Sequence, residues 1–368
     1  MALALHPATV RAVRVTALDI PLVAPFGISR GVLGTAANVL VRVELSDGTA
    51  GYGEAAPFPA YNGETQSDAI GLLSRASGWL PGRDAADWRG IGSEFRAMGG
   101  PTCGSALCAL ETALLDAVCR RENVSLWRFF GGAGTQLETD MTVTTGTAGE
   151  AREAARSIRS RGIRFIKAKV GGPGGPGADL ERICAITEVA PDAPLILDGN
   201  AGMSRLHASE LVSGLKARGI APVLLEQWLA KDDFGGMRAL GAESGWTLAA
   251  DEGVTTAADA RRAARSGAAH VFNVKLMKAG IAEALEVVSV ARDEGIGLMI
   301  GGNIESILAM TVSACFAAGL GGFGYADLDT PLFLAENPFE GGYAMEGSRI
   351  SVAHIKAGHG VLPRGLLL

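Results

Sequence analysis

From about Leu137 onward the chain alternates between short apolar runs and Ala-rich amphipathic stretches, and this alternation constrains its fold more than any other feature. The runs fall at residues 141–144, 165–170, 195–197, 222–225, 247–250, 271–274, 297–300 and 322–326. Between them lie segments of helix length, such as 147–160 and 281–294. Eight strand-like runs with helices between them predict a (β/α)8-type barrel, an α/β fold of about 250 residues.

The 368 residues exceed what such a barrel needs. Residues 11–21, 37–45 and 50–54 read as strands, with Ser46-Asp47-Gly48 as a hairpin turn, and residues 65–79 and 105–122 read as helices. Strands followed by helices suggest a small α+β unit. After Thr330 the chain is irregular and Gly-rich, too short to fold alone, and should return to that unit. The expected division is 1–136, 137–329 and 330–368.

Composition narrows the function. A hydrophobic content of 48% supports a large core. A net charge of −6 without a basic cluster argues against nucleic acid as the main partner. Arg261, Arg262 and Arg265 are spaced as the solvent face of a helix. The five cysteines are odd in number and show no CxxC pair, as expected of reduced thiols in a cytoplasmic protein. Neither a secretory leader pattern nor an apolar run of about 18 residues is visible, so no membrane span is expected. The glycines of 171–177 match neither nucleotide-binding spacing and read as a flexible loop.

The chemistry gathers at the ends of the apolar runs. Lys169, Asp198, Glu226, Asp251 and Lys275 follow one another at intervals of 29, 28, 25 and 24 residues. Near-equal steps put each at a similar place on successive strands, at the barrel face where active sites form. Taken singly these residues are ambiguous; Asp198, for instance, could be a helix N-cap. As an array, three convergent carboxylates would repel one another unless a cation lay between them. An all-oxygen donor set favours Mg²⁺ over Zn²⁺. Lys169 and Lys275, on the second and sixth strands, would face each other across the ring. That arrangement suits proton abstraction beside a carboxylate, with the cation stabilising the developing charge. The base must be neutral to act, and a neighbouring cation should push its pKa down.

Lys167-Ala168-Lys169, Asp198-Gly199-Asn200, Glu226-Gln227, Asp251-Glu252 and Asn273-Val274-Lys275-Leu276-Met277-Lys278 together resemble the muconate-lactonizing-enzyme subgroup of the enolase superfamily. Gly51-Tyr52-Gly53-Glu54-Ala55 resembles the subgroup's capping-domain motif, and Gly301-Gly302-Asn303-Ile304-Glu305-Ser306 its seventh-strand motif. The resemblance covers nearly the whole chain. It implies an α+β capping domain over the barrel mouth and one Mg²⁺ per subunit on Asp198, Glu226 and Asp251. It also implies Lys169 and Lys275 as bases on opposite faces of the substrate, with Lys167, Asn303 and Ile304 lining the substrate site.

On the eighth strand, Asp327 and Asp329 resemble the signature of dipeptide epimerases, where such a pair holds the free α-ammonium group; two carboxylates suit that charge. A pair of turn-forming aspartates is the plainer reading. The loop Pro25-Phe26-Gly27-Ile28-Ser29-Arg30-Gly31 looks like that of some L-Ala-D/L-Glu epimerases. Phe26, Ile28 and Arg30 are therefore candidate specificity residues, and Arg30 could pair with a substrate glutamate, face solvent, or pair with Glu54 or Glu64. The expected partner is a dipeptide, the expected context cell-wall peptide recycling by a cytoplasmic homo-oligomer. N-succinylamino-acid racemase or o-succinylbenzoate synthase activity, and a non-catalytic protein retaining the fold, are the competing readings. Trp228, Gly253 and Gly199 depart from the usual Pro, Ser and Ala.

Overall fold

The computed structural model describes residues 5–28, 31–59 and 63–365. Three antiparallel strands open the chain: β1 (Val10–Ile28), β2 (Gly31–Leu45) and β3 (Ala50–Ala55), with β2 in the middle. The Asp47 carboxylate accepts from Thr49 N at 2.9 Å, and Gly48 supplies the positive φ that the tight turn requires.

Three helices follow: α1 (Gln66–Trp79), α2 (Trp88–Gly99) and α3 (Gly104–Arg121). Thr65 and Asp68 form a capping box at the start of α1. The buried α3 lies against β3 so closely that a Cβ at Gly53 would sit 2.0 Å from the Ala109 carbonyl oxygen. The glycines of Gly51-Tyr52-Gly53 are thus required by backbone contact. Helix α2 was not anticipated, although its buried Trp88, Ile91 and Phe95 have helical spacing.

A short α4 (Leu126–Phe129) and β4 (Gln136–Glu138) lead to the barrel. Its strands are β5 (Met141–Val143), β6 (Ile166–Lys169), β7 (Leu195–Asp198), β8 (Leu224–Glu226), β9 (Leu248–Ala250), β10 (Val271–Val274), β11 (Gly297–Ile300) and β12 (Phe323–Ala326). They are parallel neighbours in chain order. The helices between them are α5 (Ala148–Ser160), α6 (Gly175–Val189), α7 (Arg205–Ala217), α8 (Phe234–Ser244), α9 (Ala257–Ser266), α10 (Gly280–Asp293) and α11 (Ile307–Leu320). The eighth strand is followed by a 3-10 turn, Thr330–Phe333, instead of a helix, because Pro331 and the return of the chain end the repeat there.

Between β12 and β5 the ring closes through irregular contacts. Thr139 bridges Ala326, Asp140 N donates to Ala326 O at 3.0 Å, and Leu328 N donates to Thr139 Oγ1 at 2.9 Å. The tail adds β13 (Phe339–Gly341), β14 (Ala344–Glu346), β15 (Arg349–Ser351) and β16 (Val361–Pro363). It packs back on the first unit, where Asp116 of α3 accepts from His359 N at 2.9 Å and Arg120 donates to Val361 O at 2.7 Å.

Strand alternation stacks the barrel interior. Ile196, Leu224, Ala249, Val271 and Met299 form an apolar plug with Phe165, Val223 and Tyr325 packed against it. Asp198, Glu226 and Asp251 lie two residues beyond Ile196, Leu224 and Ala249 and therefore on the same inward face, one layer nearer the strand ends. Among the described residues no helix is long and apolar enough to cross a membrane.

Candidate active site

The structure brings the five arrayed residues together, with Lys167 beneath them. Lys167 Nζ is fully buried and lies 3.0 Å from Asp198 Oδ2, 2.8 Å from Glu226 Oε2 and 2.7 Å from Asp327 Oδ2. Lys169 Nζ donates to Asp198 Oδ2 at 2.6 Å. Lys275 follows β10, across the barrel from β6, with Nζ 2.7 Å from Asp251 Oδ2. The alternative of Asp198 as a helix N-cap falls away, since Ser204 caps α7.

The lysines and the carboxylates pull the site's titrations in opposite directions. Burial raises the Asp198 carboxyl, but Lys167, Lys169 and Lys275 outweigh it and hold the pKa far below normal. Burial likewise raises Asp251, yet Lys275 and Lys278 bring it down to about 2. Burial and the Asp198 charge raise Glu226. Glu252 is raised to about 8 by burial and by Asp251. For Lys275 burial works downward, but the Asp251 carboxylate raises it above a normal lysine, so the expected lowering has to come from the cation. The protein's own groups therefore do not supply a neutral amine at Lys275.

An all-oxygen cation such as Mg²⁺ fits the three strand-end carboxylates. Glu226 Oε2 and both Asp251 oxygens are buried and are met by lysine ammonium groups at 2.7–2.8 Å, positive charge standing where a cation would bind. Their other contacts orient them. Asn273 Nδ2 donates to Glu226 Oε1 at 2.7 Å, and Asn200 N donates to Asp198 Oδ1 at 2.9 Å. Gln227 Oε1 accepts from Asp251 N and Gly253 N, both at 3.0 Å. Asn200, Ala201 and Gln227 all take positive φ, a strained set of backbones at the strand ends. Asn273, Gln227 and Lys278 were visible only as parts of motifs; their bracing contacts were not.

Among the described residues, the acidic trio with oxygens within 4.8 Å of one another is a different one, Asp140, Asp327 and Asp329. Asp329 Oδ2 accepts from Thr142 N at 2.7 Å, and burial with the Asp327 charge raises its pKa to about 7. Asn303 and Ile304 stand at the mouth, but as ties to the first unit: Asn303 Nδ2 donates to Ala56 O at 2.9 Å, and Ile304 O accepts from Asn38 Nδ2 at 3.0 Å. Glu54 accepts from Ser306 N at 2.9 Å and from the Ser306 hydroxyl, binding the β3 motif to the seventh-strand motif. Glu64 accepts from Ser105 N and Ala106 N at the start of α3. Arg30 lies outside the described residues, as do the side chains of Phe26 and Ile28.

Two sequence departures explain each other. A Cβ at residue 199 would come within 2.7 Å of Trp228 Cα and 3.1 Å of its ring, so glycine accompanies the buried tryptophan. Behind Lys169, Arg182 donates to its main-chain carbonyl and, at 2.9 Å, to Asp179, whose other oxygen accepts from Gly171 N at 2.7 Å. This buried clamp turns the glycine-rich segment back onto the strand end.

A parallel barrel capped by an α+β unit, with three successive strand-end carboxylates flanked by lysines, defines the class. The chain belongs to the mandelate racemase/muconate lactonizing enzyme family of the enolase superfamily: the family's N-terminal domain model matches residues 10–131, and the enolase C-terminal domain-like model matches 150–365. Its curated relatives include isomerases named as dipeptide epimerases. It is 47% identical over 360 residues to an aromatic dipeptide epimerase of Herpetosiphon aurantiacus, covering 96% of this chain and 99% of that protein. The structure of a mandelate racemase/muconate lactonizing enzyme from Roseiflexus sp. superposes with a TM-score of 0.92 at 52% identity, covering 98% of this chain and 99% of that one. A dipeptide epimerase from Enterococcus faecalis complexed with Mg and L-Leu-L-Tyr has a TM-score of 0.91 at 28% identity, covering 96% and 99%. Other relatives are epimerases of L-Ala-D/L-Glu, of hydrophobic dipeptides and of L-Lys-D/L-Arg.

Proposed function

We propose that this protein is a Mg²⁺-dependent epimerase that inverts the α-carbon of the C-terminal residue of a dipeptide. The observation that carries the reading is Lys169 and Lys275 on opposed strands, flanking three carboxylates, with the Asp327 and Asp329 pair just past the eighth strand and joined to them through Lys167. Asp198, Glu226 and Asp251 would hold the cation, which supplies Lewis-acid stabilisation of charge developing on the substrate carboxylate. One lysine removes the α-proton and the opposite lysine returns a proton to the other face. Lys167 holds Asp198, Glu226 and Asp327 in one network. Asp327 and Asp329 bind the substrate's ammonium group, which N-acylated amino acids lack; that disfavours N-succinylamino-acid racemase and o-succinylbenzoate synthase.

For the residue inverted, the relative at 47% identity favours aromatic or other apolar dipeptides. L-Ala-D/L-Glu is the second reading, favoured by the relatives of that name and by Arg30 as the only cation of its loop. We extend the proposal to residues 1–136 with 330–368 as the cap, residues 137–329 as the barrel, and a cytoplasmic homo-oligomer; a role in cell-wall peptide recycling goes with the second reading.

The test is α-proton exchange in deuterated water with free L-Ala-L-Phe, L-Ala-L-Glu and their N-acetyl forms. Exchange and inversion of the free dipeptides alone is expected. Equal turnover of the N-acetyl forms overturns the assignment, and absence of any exchange makes the chain a non-catalytic relative. A wild-type preference for Ala-Glu, lost in Arg30→Ala, selects the acidic reading.

A further inference from the structure

Asp140 stands at the entry to the first barrel strand, where the proposed mechanism gives it no task. It is buried, its main-chain N–H is fixed on Ala326 O at 3.0 Å, and both its carboxyl oxygens lack a hydrogen-bond partner. Asp329 Oδ1 lacks one too. One oxygen each of Asp140, Asp327 and Asp329 lies within 4.8 Å of the other two. Among the described residues, Lys167 is the cation paired with this trio, and it is shared with Asp198 and Glu226.

Three carboxylates at that spacing cannot all be ionised against one shared ammonium. A buried acceptor left empty costs about 1–3 kcal/mol, more when it is charged. One proton on Asp140 relieves both problems. It removes a charge, and it converts an orphaned acceptor into a donor among neighbouring carboxylates, where Asp329 Oδ1 also lacks a partner. The span is short enough for a direct bond after rotation of a carboxyl, or for one bridging water. The groups facing Asp140 are Asp327, Lys167, Asp329 and Glu226; burial, then Asp327, pushes its pKa well above a normal aspartate.

We propose that Asp140 is a positioning residue that carries a proton shared with Asp329, so that Asp329 and Asp327 are held as an ordered seat for the substrate's ammonium group. The surrounding bonds fit this task. Thr142 N holds Asp329 Oδ2 at 2.7 Å and Thr139 Oγ1 holds Leu328 N at 2.9 Å, so Thr139, Asp140 and Thr142, leading into and along the first barrel strand, grip the end of the eighth strand and the segment that bears the pair. Asp140 touches no substrate; it acts through the two aspartates.

The inference rests on the reading of Asp327 and Asp329 as ammonium ligands, so the experiment separates the two. Wild type is first compared on L-Ala-L-Phe and its N-acetyl form. Failure to prefer the free dipeptide counts against that reading and leaves the shared proton to be judged by infrared spectroscopy. At about pH 8, where ordinary carboxyls are ionised, the difference spectrum between wild type and Asp140→Asn should show a neutral-carboxyl band in wild type only. Asp140→Asn, whose amide N–H replaces the donor, should keep kcat/KM within about threefold. Asp140→Ala should raise KM for the free dipeptide at least about tenfold, with little change in kcat, and narrow the free-over-acetyl preference. If Asp140→Ala does not fold, the infrared band and the Asp140→Asn kinetics decide. Absence of the band, an Asn variant losing more than about tenfold, or an Ala variant with wild-type discrimination each overturns the proposal.

Discussion

Lys278 Nζ lies 2.8 Å from Asp251 Oδ1 and donates to the carbonyl oxygens of Asp251, Asn273 and Val254 at 2.6, 2.7 and 3.0 Å. All three ammonium protons have carbonyl acceptors, so the side chain pins the ends of β9 and β10 together beneath a proposed cation ligand. Lys278→Met strands those acceptors and one buried carboxylate. We predict a loss of about 3–5 kcal/mol in urea denaturation and about 10–100-fold weaker Mg²⁺ binding by calorimetric titration. Unchanged Mg²⁺ affinity in a folded variant would remove Lys278 from the site.

Metal removal is predicted to abolish turnover, because Asp198, Glu226 and Asp251 then face one another with only lysines between them. Dialysis against a chelator followed by Mg²⁺ or Mn²⁺ addition checks this. Saturation at about a hundred times Kd should also stabilise the protein by about 2.7 kcal/mol. Full activity in rigorously metal-free protein rejects the cation.

Lys169→Ala and Lys275→Ala are each predicted to stop epimerisation, since inversion needs a group on both faces. Each variant should still exchange the α-proton of one epimer with deuterated water, and the two should exchange opposite epimers. The readout is mass spectrometry of recovered substrate. Exchange of the same epimer by both variants contradicts opposed faces.

A pH effect is predicted away from the reacting centre. Glu111 of α3 caps the start of α10, accepting from Ile281 N and, at 3.2 Å, from Ala282 N. Burial nevertheless pushes its pKa up from 4.5 to about 7. A raised carboxyl pKa means that folding favours the protonated form. Its contribution is full below pH 4.5, declines as pH rises through about 7, and is flat above. The loss amounts to about 3 kcal/mol. Glu111→Gln should abolish that slope, measured by denaturation across the window; a variant as pH-sensitive as wild type refutes the assignment.

Much of this could be read from the chain because it is written locally. Strand alternation puts every second residue on one face, so Asp198, Glu226 and Asp251, each two residues past a plug residue, had to point inward once the strands formed. The glycines of Gly51-Tyr52-Gly53 and the capping boxes at Thr65, Thr147 and Thr256 are also short-range features. Helix α2 is written locally too, in the helical spacing of Trp88, Ile91 and Phe95.

What only the tertiary structure decided depends on residues far apart in sequence. Asp140 takes its significance from Asp327 and Asp329, which reach it only when the barrel closes. Asn303, a candidate substrate contact by motif, also ties to Ala56 O, a partner that spacing does not specify. The upward push of Asp251 on Lys275 likewise depends on residues that meet only in the fold. The sequence by itself determined the order of strands and the chemistry presented at their ends, because both follow from backbone periodicity. Partners, protonation and support of those groups were decided by packing, since a buried charge takes its free energy from neighbours that one-dimensional spacing does not specify.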